Sequence, residues 1–250
     1  MNAIDTALRP RHVYGLIKAG SVVPDDLKGL GPSGQVSTIA HGDVAAIVGD
    51  IPLDRPLGVR SDLIAHQAVL DAVAARTAVV PMRFPSVVEE DAVVTELLAP
   101  NEDYFLALLE ELDGCVQFTL MGRYEQDAIL REVVVSDDEI RALSERVKEL
   151  SEDASYYDRV RLGELVVHAL EERRRIEGAR IVERLRPFAV ATTSNALTAP
   201  EDVVNEAFLV ERKRQQRFDD AVEEMGMELV GRVQLRLLGP VAPYGFTGGE

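Results

Sequence analysis

The sequence predicts an α+β protein of two domains. Residues 1–113 form a small mixed sheet with helices, and residues 114–250 a ferredoxin-like βαββαβ sheet with an enlarged helical first crossover. Three observations lead there. A chain of 250 residues is long enough for two hydrophobic cores. Strand-sized apolar runs alternate with longer stretches of 3.6-residue periodicity. From Gly114 that pattern restarts, in the order strand, helices, strand, strand, helix, strand, which is the split βαβ order.

The first half opens on a strand, His12-Val13-Tyr14-Gly15-Leu16-Ile17-Lys18, followed by a turn-rich stretch holding Gly20, Pro24 and Gly29. Val36 to Ala40 and Val44 to Val48 flank His41-Gly42-Asp43, a spacing that predicts a hairpin. A helix is expected over Ser61 to Ala75, with Ser61 as N-cap and Leu63, Ile64, Leu70 and Val73 on its inner side. A strand over Ala78 to Phe84 is broken by Pro81, and two helices follow, Glu89 to Leu98 and Tyr104 to Leu112. Helices on one face of the sheet complete the domain.

In the second half Cys115 to Met121 alternates as a strand. A helical stretch follows, interrupted at Val133 to Val135 and resuming over Asp138 to Leu150. A long helix is expected over Tyr156 to Leu185, with Leu162, Val166, Ala169 and Ile176 on one face, weakened by Gly163 and Gly178. Strands at Phe188 to Thr193 and Ala207 to Val210 precede a helix over Glu211 to Met225, where Phe218, Ala221, Val222 and Met225 share a side. Glu228 to Leu238 is the closing strand, and no internal repeat between the halves stands out.

Composition narrows the function classes. With 46% hydrophobic and 28% charged residues the chain is an ordinary globular one. A formal charge of −16 opposes binding to nucleic acid or to anionic membrane surfaces. No apolar stretch reaches a membrane-spanning length, and Met1 to Asp5 lacks a secretory pattern, so a cytoplasmic protein is expected. One cysteine, Cys115, excludes an internal disulfide and a cysteine-built zinc site.

Catalytic motifs are not found. His12, His41, His66 and His168 have no histidine partner at i+3 or i+4 and read as solvated or capping residues. Gly29-Leu30-Gly31 lacks the lysine and the strand-to-helix setting of a phosphate loop. The acidic runs Glu89-Glu90-Asp91 and Asp137-Asp138-Glu139 fall at helix starts, where the helix dipole favours them. No enzyme activity, cofactor, metal or small-molecule substrate is expected. Arg83, inside the apolar run Val79 to Pro85, is expected in a structural salt bridge at a domain junction.

The C-terminus is unusual for a tail. Gly239-Pro240-Val241-Ala242-Pro243-Tyr244-Gly245-Phe246 combines two prolines, which end strand pairing, with two aromatics that favour docking. Together with Pro81-Met82-Arg83-Phe84, the strand starting at Gly114, the strand Phe208-Leu209-Val210 with the Arg-rich helix holding Phe218, and the opening Tyr14-Gly15-Leu16-Ile17, this ending resembles the GvpL/GvpF family of gas vesicle proteins. Pro85, Gln117 and Val241-Ala242 depart from the family's usual Gly, acidic residue and Trp-Pro pair. The signature positions are Tyr14, Pro81, Arg83, Phe84, Gly114, Phe218, Gly239, Pro240, Pro243, Tyr244 and Phe246, all expected to be structural.

What the resemblance implies is an accessory or minor structural protein of gas vesicle assembly. Its implied partners are the hydrophobic shell protein and other accessory gas vesicle proteins. A strongly charged soluble companion would limit aggregation of such an apolar subunit. The alternative is a small-molecule-sensing regulatory module, since a ferredoxin-like fold does not fix function.

Overall fold

A computed structural model of the chain describes residues 9–151 and 154–248; Met1 to Asp5 lies outside the described residues. The chain forms two compact units. The first comprises residues 1–118 with 239–250, and the second residues 119–238. The expected division near Asp113 groups the C-terminal hook with the second half, whereas compactness groups it with the first.

The sheet of the first unit contains β1 (Pro10–Lys18), β2 (Val36–His41), β3 (Val44–Asp50), β4 (Val80–Pro81) and β5 (Val87–Glu89) in the order β2-β3-β1-β4, with β5 also on β1. Each of its pairings is antiparallel, a refinement of the mixed sheet expected. The β2–β3 hairpin turns at Gly42, whose φ of 52° suits glycine. Pro81 is itself paired, opposite Gly15; the break falls at residues 82–86 instead, and Met82 N–H still donates to the Tyr14 carbonyl at 2.9 Å. A proline is tolerated there because β4 is an edge strand.

β1 and β3 are buried along nearly their whole length, so helices on one face alone would not suffice. One face is covered by α1 (Arg60–Ala74), by Val23, Leu27 and Leu30 of the loop over residues 19–35, and by Ala242 and Tyr244 of the hook. The helical stretch over residues 90–111 packs against β1, β2 and β3. It runs as α2 (Glu90–Ala92), a π-helical turn Val93–Leu98, a 3₁₀ turn Ala99–Asn101 and α3 (Glu102–Glu111), so the expected helix over Glu89 to Leu98 is broken up.

The face of α1 turned inward differs from expectation. Leu63 and Ile64 are exposed, and Asp62, His66, Val69, Leu70 and Val73 are buried. Those five positions follow i, i+4, i+7, i+8, i+11, so the helix keeps its period and buries two polar groups within it. Ser61 is not the cap: Val59 occupies that position without a side-chain bond.

The second unit is built on β6 (Cys115–Tyr124), α4 (Gln126–Ser136), α5 (Asp138–Glu149), α6 (Tyr156–Leu185), β7 (Ala191–Ser194), β8 (Asp202–Glu211), α7 (Gln215–Glu228) and β9 (Val233–Val241). Strand order is β7-β8-β6-β9, the second, third, first and fourth of the unit, which is the ferredoxin-like order expected. The first unit has the same order. Its first crossover, however, is the loop 19–35 where the second unit has three helices.

Val133 to Val135 does not interrupt a helix; it lies inside α4, and the break comes at Asp137, whose carboxylate accepts the Ile140 N–H at 3.0 Å as the cap of α5. The last helix reaches Glu228, so the closing strand starts at Val233, five residues later than expected. Phe218, Val222 and Met225 are buried, with Phe218 at 5.3 Å from the Phe208 ring.

Candidate functional site

In the first unit the signature residues converge. A register shift in the β1–β3 pairing falls between Val13 and Gly15, so Tyr14 is a bulge residue. Its hydroxyl accepts the Leu30 N–H at 2.8 Å, tying the 19–35 loop to the core. Burial raises that phenol to a pKa of about 12. Gly15 beside it has no room for a side chain, since a Cβ would stand 2.8 Å from Leu70 Cδ2 and from the Val80 carbonyl.

Below Tyr14 lies a pair of histidines that the sequence reading assigned to solvent or caps. His12 on β1 is 0% exposed and His66 on α1 is 3% exposed. His12 Nε2 and His66 Nδ1 are 2.8 Å apart, and His66 Nε2 is 3.2 Å from the Met82 carbonyl. A carbonyl only accepts, so His66 carries its proton on Nε2 and His12 donates from its own Nε2. That leaves His12 Nδ1 buried without a hydrogen-bond donor. Desolvation and the neighbouring His66 lower His12 to about 4, and desolvation lowers His66, so both rings are neutral near pH 7. Phe84 packs edge-on to both rings at 5.3 and 5.4 Å, and Tyr244 reaches His66 at 6.4 Å.

Asp62, one helical turn before His66, is held by a fork. Arg55 Nη1 and Nη2 donate to its two oxygens at 2.8 and 2.6 Å, and Gly58 N–H adds a third bond at 3.1 Å. The Arg55 hydrogen bonds lower this carboxyl to about 2. The two polar side chains of α1 are thus paired, which is what allows them to be buried.

The hook completes this centre. Ala242 is fully buried and its N–H donates to Asp71 Oδ1 at 3.0 Å; Gly245 N–H donates to Gln117 Oε1 at 2.8 Å. Gln117, a departure from the family pattern, therefore holds the tail with its amide oxygen. Gly239 has φ 133°, and a Cβ there would lie 2.7 Å from the Gln117 carbonyl, so glycine is required on both counts. Pro243 is buried, Tyr244 and Phe246 are half-buried, and Pro240 follows a cis peptide bond on the surface. Gly114 has φ 68° at the turn into β6.

Phe218 belongs to the core of the second unit, and Arg83 is exposed rather than inside an apolar strand as expected. The inward polar set His12, Asp62 and His66, with the part-exposed Arg55 paired to Asp62, was missed; its signal was the placement of Asp62 and His66 four apart on the stripe of buried α1 positions.

The second unit has a different polar centre and an open surface. Arg232 donates to Glu132 at 2.7 and 2.9 Å and also pairs with Glu177, whose other oxygen accepts the Tyr124 hydroxyl at 2.7 Å. Between α6 and the β7–β8 hairpin lies a groove of about 640 Å³, lined in part by Arg174, Arg175, Gly178, Val182, Leu197 and Val203. Among the described residues no group of three or more His, Cys, Asp or Glu side chains is placed to hold a metal ion, and no helix is long and apolar enough to cross a membrane.

Comparison with known proteins gives these features a context. Gas vesicle protein F of Streptomyces sp. (strain CB03234) is 32% identical over 242 residues, covering 94% of this chain and 98% of the relative. Gas vesicle protein L of the same strain is 28% identical, covering 96% and 93%. The crystal structure of GvpF from Anabaena sp. PCC7120 has the same fold, with a TM-score of 0.81 at 21% identity over 97% of this chain and 99% of that one. GvpF from Microcystis aeruginosa follows at 0.76 and 20% identity, covering 95% and 98%. The family model for gas vesicle synthesis protein GvpL/GvpF matches residues 10–248, and the chain belongs to that family.

Proposed function

We propose that this protein is a non-catalytic accessory component that binds the apolar shell protein of gas vesicles and assists nucleation and growth of the vesicle. The family match over residues 10–248 carries the reading. Physical chemistry supports the finer part of it. A subunit that assembles through apolar surface needs a partner that stays dispersed, and a charge of −16 provides dispersion. The chain also presents exposed apolar side chains on a long helix, Tyr156, Tyr157, Val160 and Val167, against which an apolar segment can pack. In this reading it acts from the cytoplasm at the growing vesicle, alongside other accessory proteins.

The test is co-expression of the tagged full chain with the shell protein, followed by affinity capture and electron microscopy of vesicles in a deletion strain. Capture of shell protein and loss or shortening of vesicles are expected. Absence of capture together with normal vesicles would overturn the reading. A large thermal shift with one metabolite and none with shell protein would favour a sensing module instead.

A further inference from the structure

The two histidines beneath the C-terminal hook can take up one proton without changing their hydrogen bonds, and no more than one. In the neutral pair His12 Nε2–H donates to His66 Nδ1 at 2.8 Å, and His66 Nε2–H donates to the Met82 carbonyl at 3.2 Å. The one ring nitrogen left over, His12 Nδ1, is buried with no partner. A first proton goes there, where the backbone of Ser86 favours the charged ring. A second proton can go only to His66 Nδ1. It would set N–H against N–H across the 2.8 Å contact, so the rings must part.

His66 is the ring on which the chain end rests. Tyr244 lies 6.4 Å from it, and with Ala242 it packs on the apolar cluster of Tyr14, Leu70 and Val73. The other covers of the pair are Tyr14, stacked on His66 at 5.6 Å, and Phe84, edge-on to both rings. Tyr14 is fixed within a central strand. The hook is a chain end, held by Ala242 N–H on Asp71 and Gly245 N–H on Gln117, and it opens at lower cost than any strand of the sheet.

Neighbouring groups leave a second proton uncompensated. Asp62 on α1 already gives both oxygens to Arg55. Burial raises Tyr14 on β1 and Tyr244 on the hook, so both stay neutral, and Asp50 on β3, which faces Tyr14, is paired with Arg11. Asp71 is raised by burial and loses its charge early as pH falls; the folded state favours its protonated form, so acid relieves this group and it does not drive opening. The histidines have the other sign. Burial lowers both, a state with the hook lifted binds more protons, and opening therefore gains as pH falls.

We propose that His12 and His66 form an acid-operated latch, in which the second proton parts the rings, lifts Tyr244 and frees the hook while the sheet of the first unit stays folded. The latch stands on the fold of the first unit and is independent of the shell-protein reading. Its opening bares Tyr14, Leu70 and Val73 on one face of that unit, and return to neutral pH closes it.

The experiment is a nuclear magnetic resonance titration of the isotopically labelled full chain from pH 7 to 3, following the Ala242 and Gly245 amides, the imidazole nitrogens, and the Ile47 and Val48 amides as reporters of the sheet. Protection factors of the two hook amides are expected to fall at least about tenfold at a pH where those of Ile47 and Val48 hold, in step with titration of His66. His66→Gln keeps both hydrogen bonds through an amide that cannot be protonated, and should hold the hook closed to a pH about one unit lower. By reciprocity, Tyr244→Ala should raise the His66 titration by about one unit. Loss of protection in hook and sheet together would overturn the latch. So would opening at the same pH in folded His66→Gln as in wild type, or an unmoved His66 titration in Tyr244→Ala; should His66→Gln not fold, the Tyr244→Ala titration decides alone.

Discussion

The two units share a strand order and differ in how they close over it. In the second unit the first crossover is α4, α5 and α6, so the sheet receives its cover from helices that belong to the same segment. In the first unit that crossover is the irregular loop 19–35, and the sheet face is completed by a single helix, three apolar loop residues and the hook from the far end of the chain. A sheet face must be covered, and a chain that omits a helix has to supply apolar side chains from elsewhere. The hook is that supply.

Their buried polar groups differ in parallel. The first unit buries a neutral histidine pair and one paired carboxylate beneath the hook; the second joins Tyr124, Glu132, Glu177 and Arg232 in a charged network. Burying neutral rings makes a unit sensitive to acid. Joining half-buried charges makes it sensitive to loss of any one partner.

The largest way to break the comparison is truncation after Gly239. It removes the burial of Tyr244 and Phe246 and the bonds to Asp71 and Gln117, a loss of about 4 kcal/mol. Hydrogen exchange should then lose protection in α1 and β1 while α7 and β8 keep theirs. Unchanged protection in α1 would sink the docking role of the hook.

Acid comes next. The pKa of His12 in the folded state, about 4, lies below its unfolded value near 6.5, so the unfolded state binds more protons between these limits. Stability therefore falls as pH drops from 6.5 to 4, by about 3 kcal/mol at the lower end. Asp62 acts in the same direction in a lower window: its lowered pKa stabilises above about 4, and that gain is lost as pH falls towards 2. Protection factors, corrected for the intrinsic slowing of exchange in acid, should fall from pH 7 to 4 in the first unit and less in the second, and His12→Gln should flatten the slope.

Arg232→Met leaves Glu132 and Glu177 facing one another. Because Arg232 is 32% exposed, the cost is about 2 kcal/mol, below that of a fully buried pair. Added salt should recover part of it. A melting temperature unaltered by the substitution would show the network to be without net value. The smallest effect has the opposite sign. Gly163→Ala should stabilise the isolated chain by about 1 kcal/mol, and Gly178→Ala should destabilise it, since only the second meets β8. Equal effects at the two glycines would show the close approach of the Val203 carbonyl to Gly178 to be without consequence.

Much of this was legible in the residues. Phe218, Val222 and Met225 announce their helix face by spacing, the hairpin by His41-Gly42-Asp43, and the docked tail by its prolines and aromatics. The inner face of α1 was misread because the apolar Leu63 and Ile64 were assumed to point inward. Asp62 and His66 took those positions because Arg55, in the loop just before the helix, and His12, on a distant strand, pair with them. The open stripe of α6 was also present in the spacing of Tyr156, Val160, Gly163 and Val167, but it carries the same periodicity as a buried one. Exposure alone separates the two.

By itself, then, the sequence determined the α+β class, the strand order of the second unit and membership of the family, because periodicity and punctuation are local properties that survive in a one-dimensional pattern. Tertiary structure alone decided that the hook belongs to the first unit, that two histidines meet in its core, and that one half of α6 is covered and the other open. Each of these depends on which distant segment arrives at a given face, and the free energy of burying or pairing a group is set by that arrival.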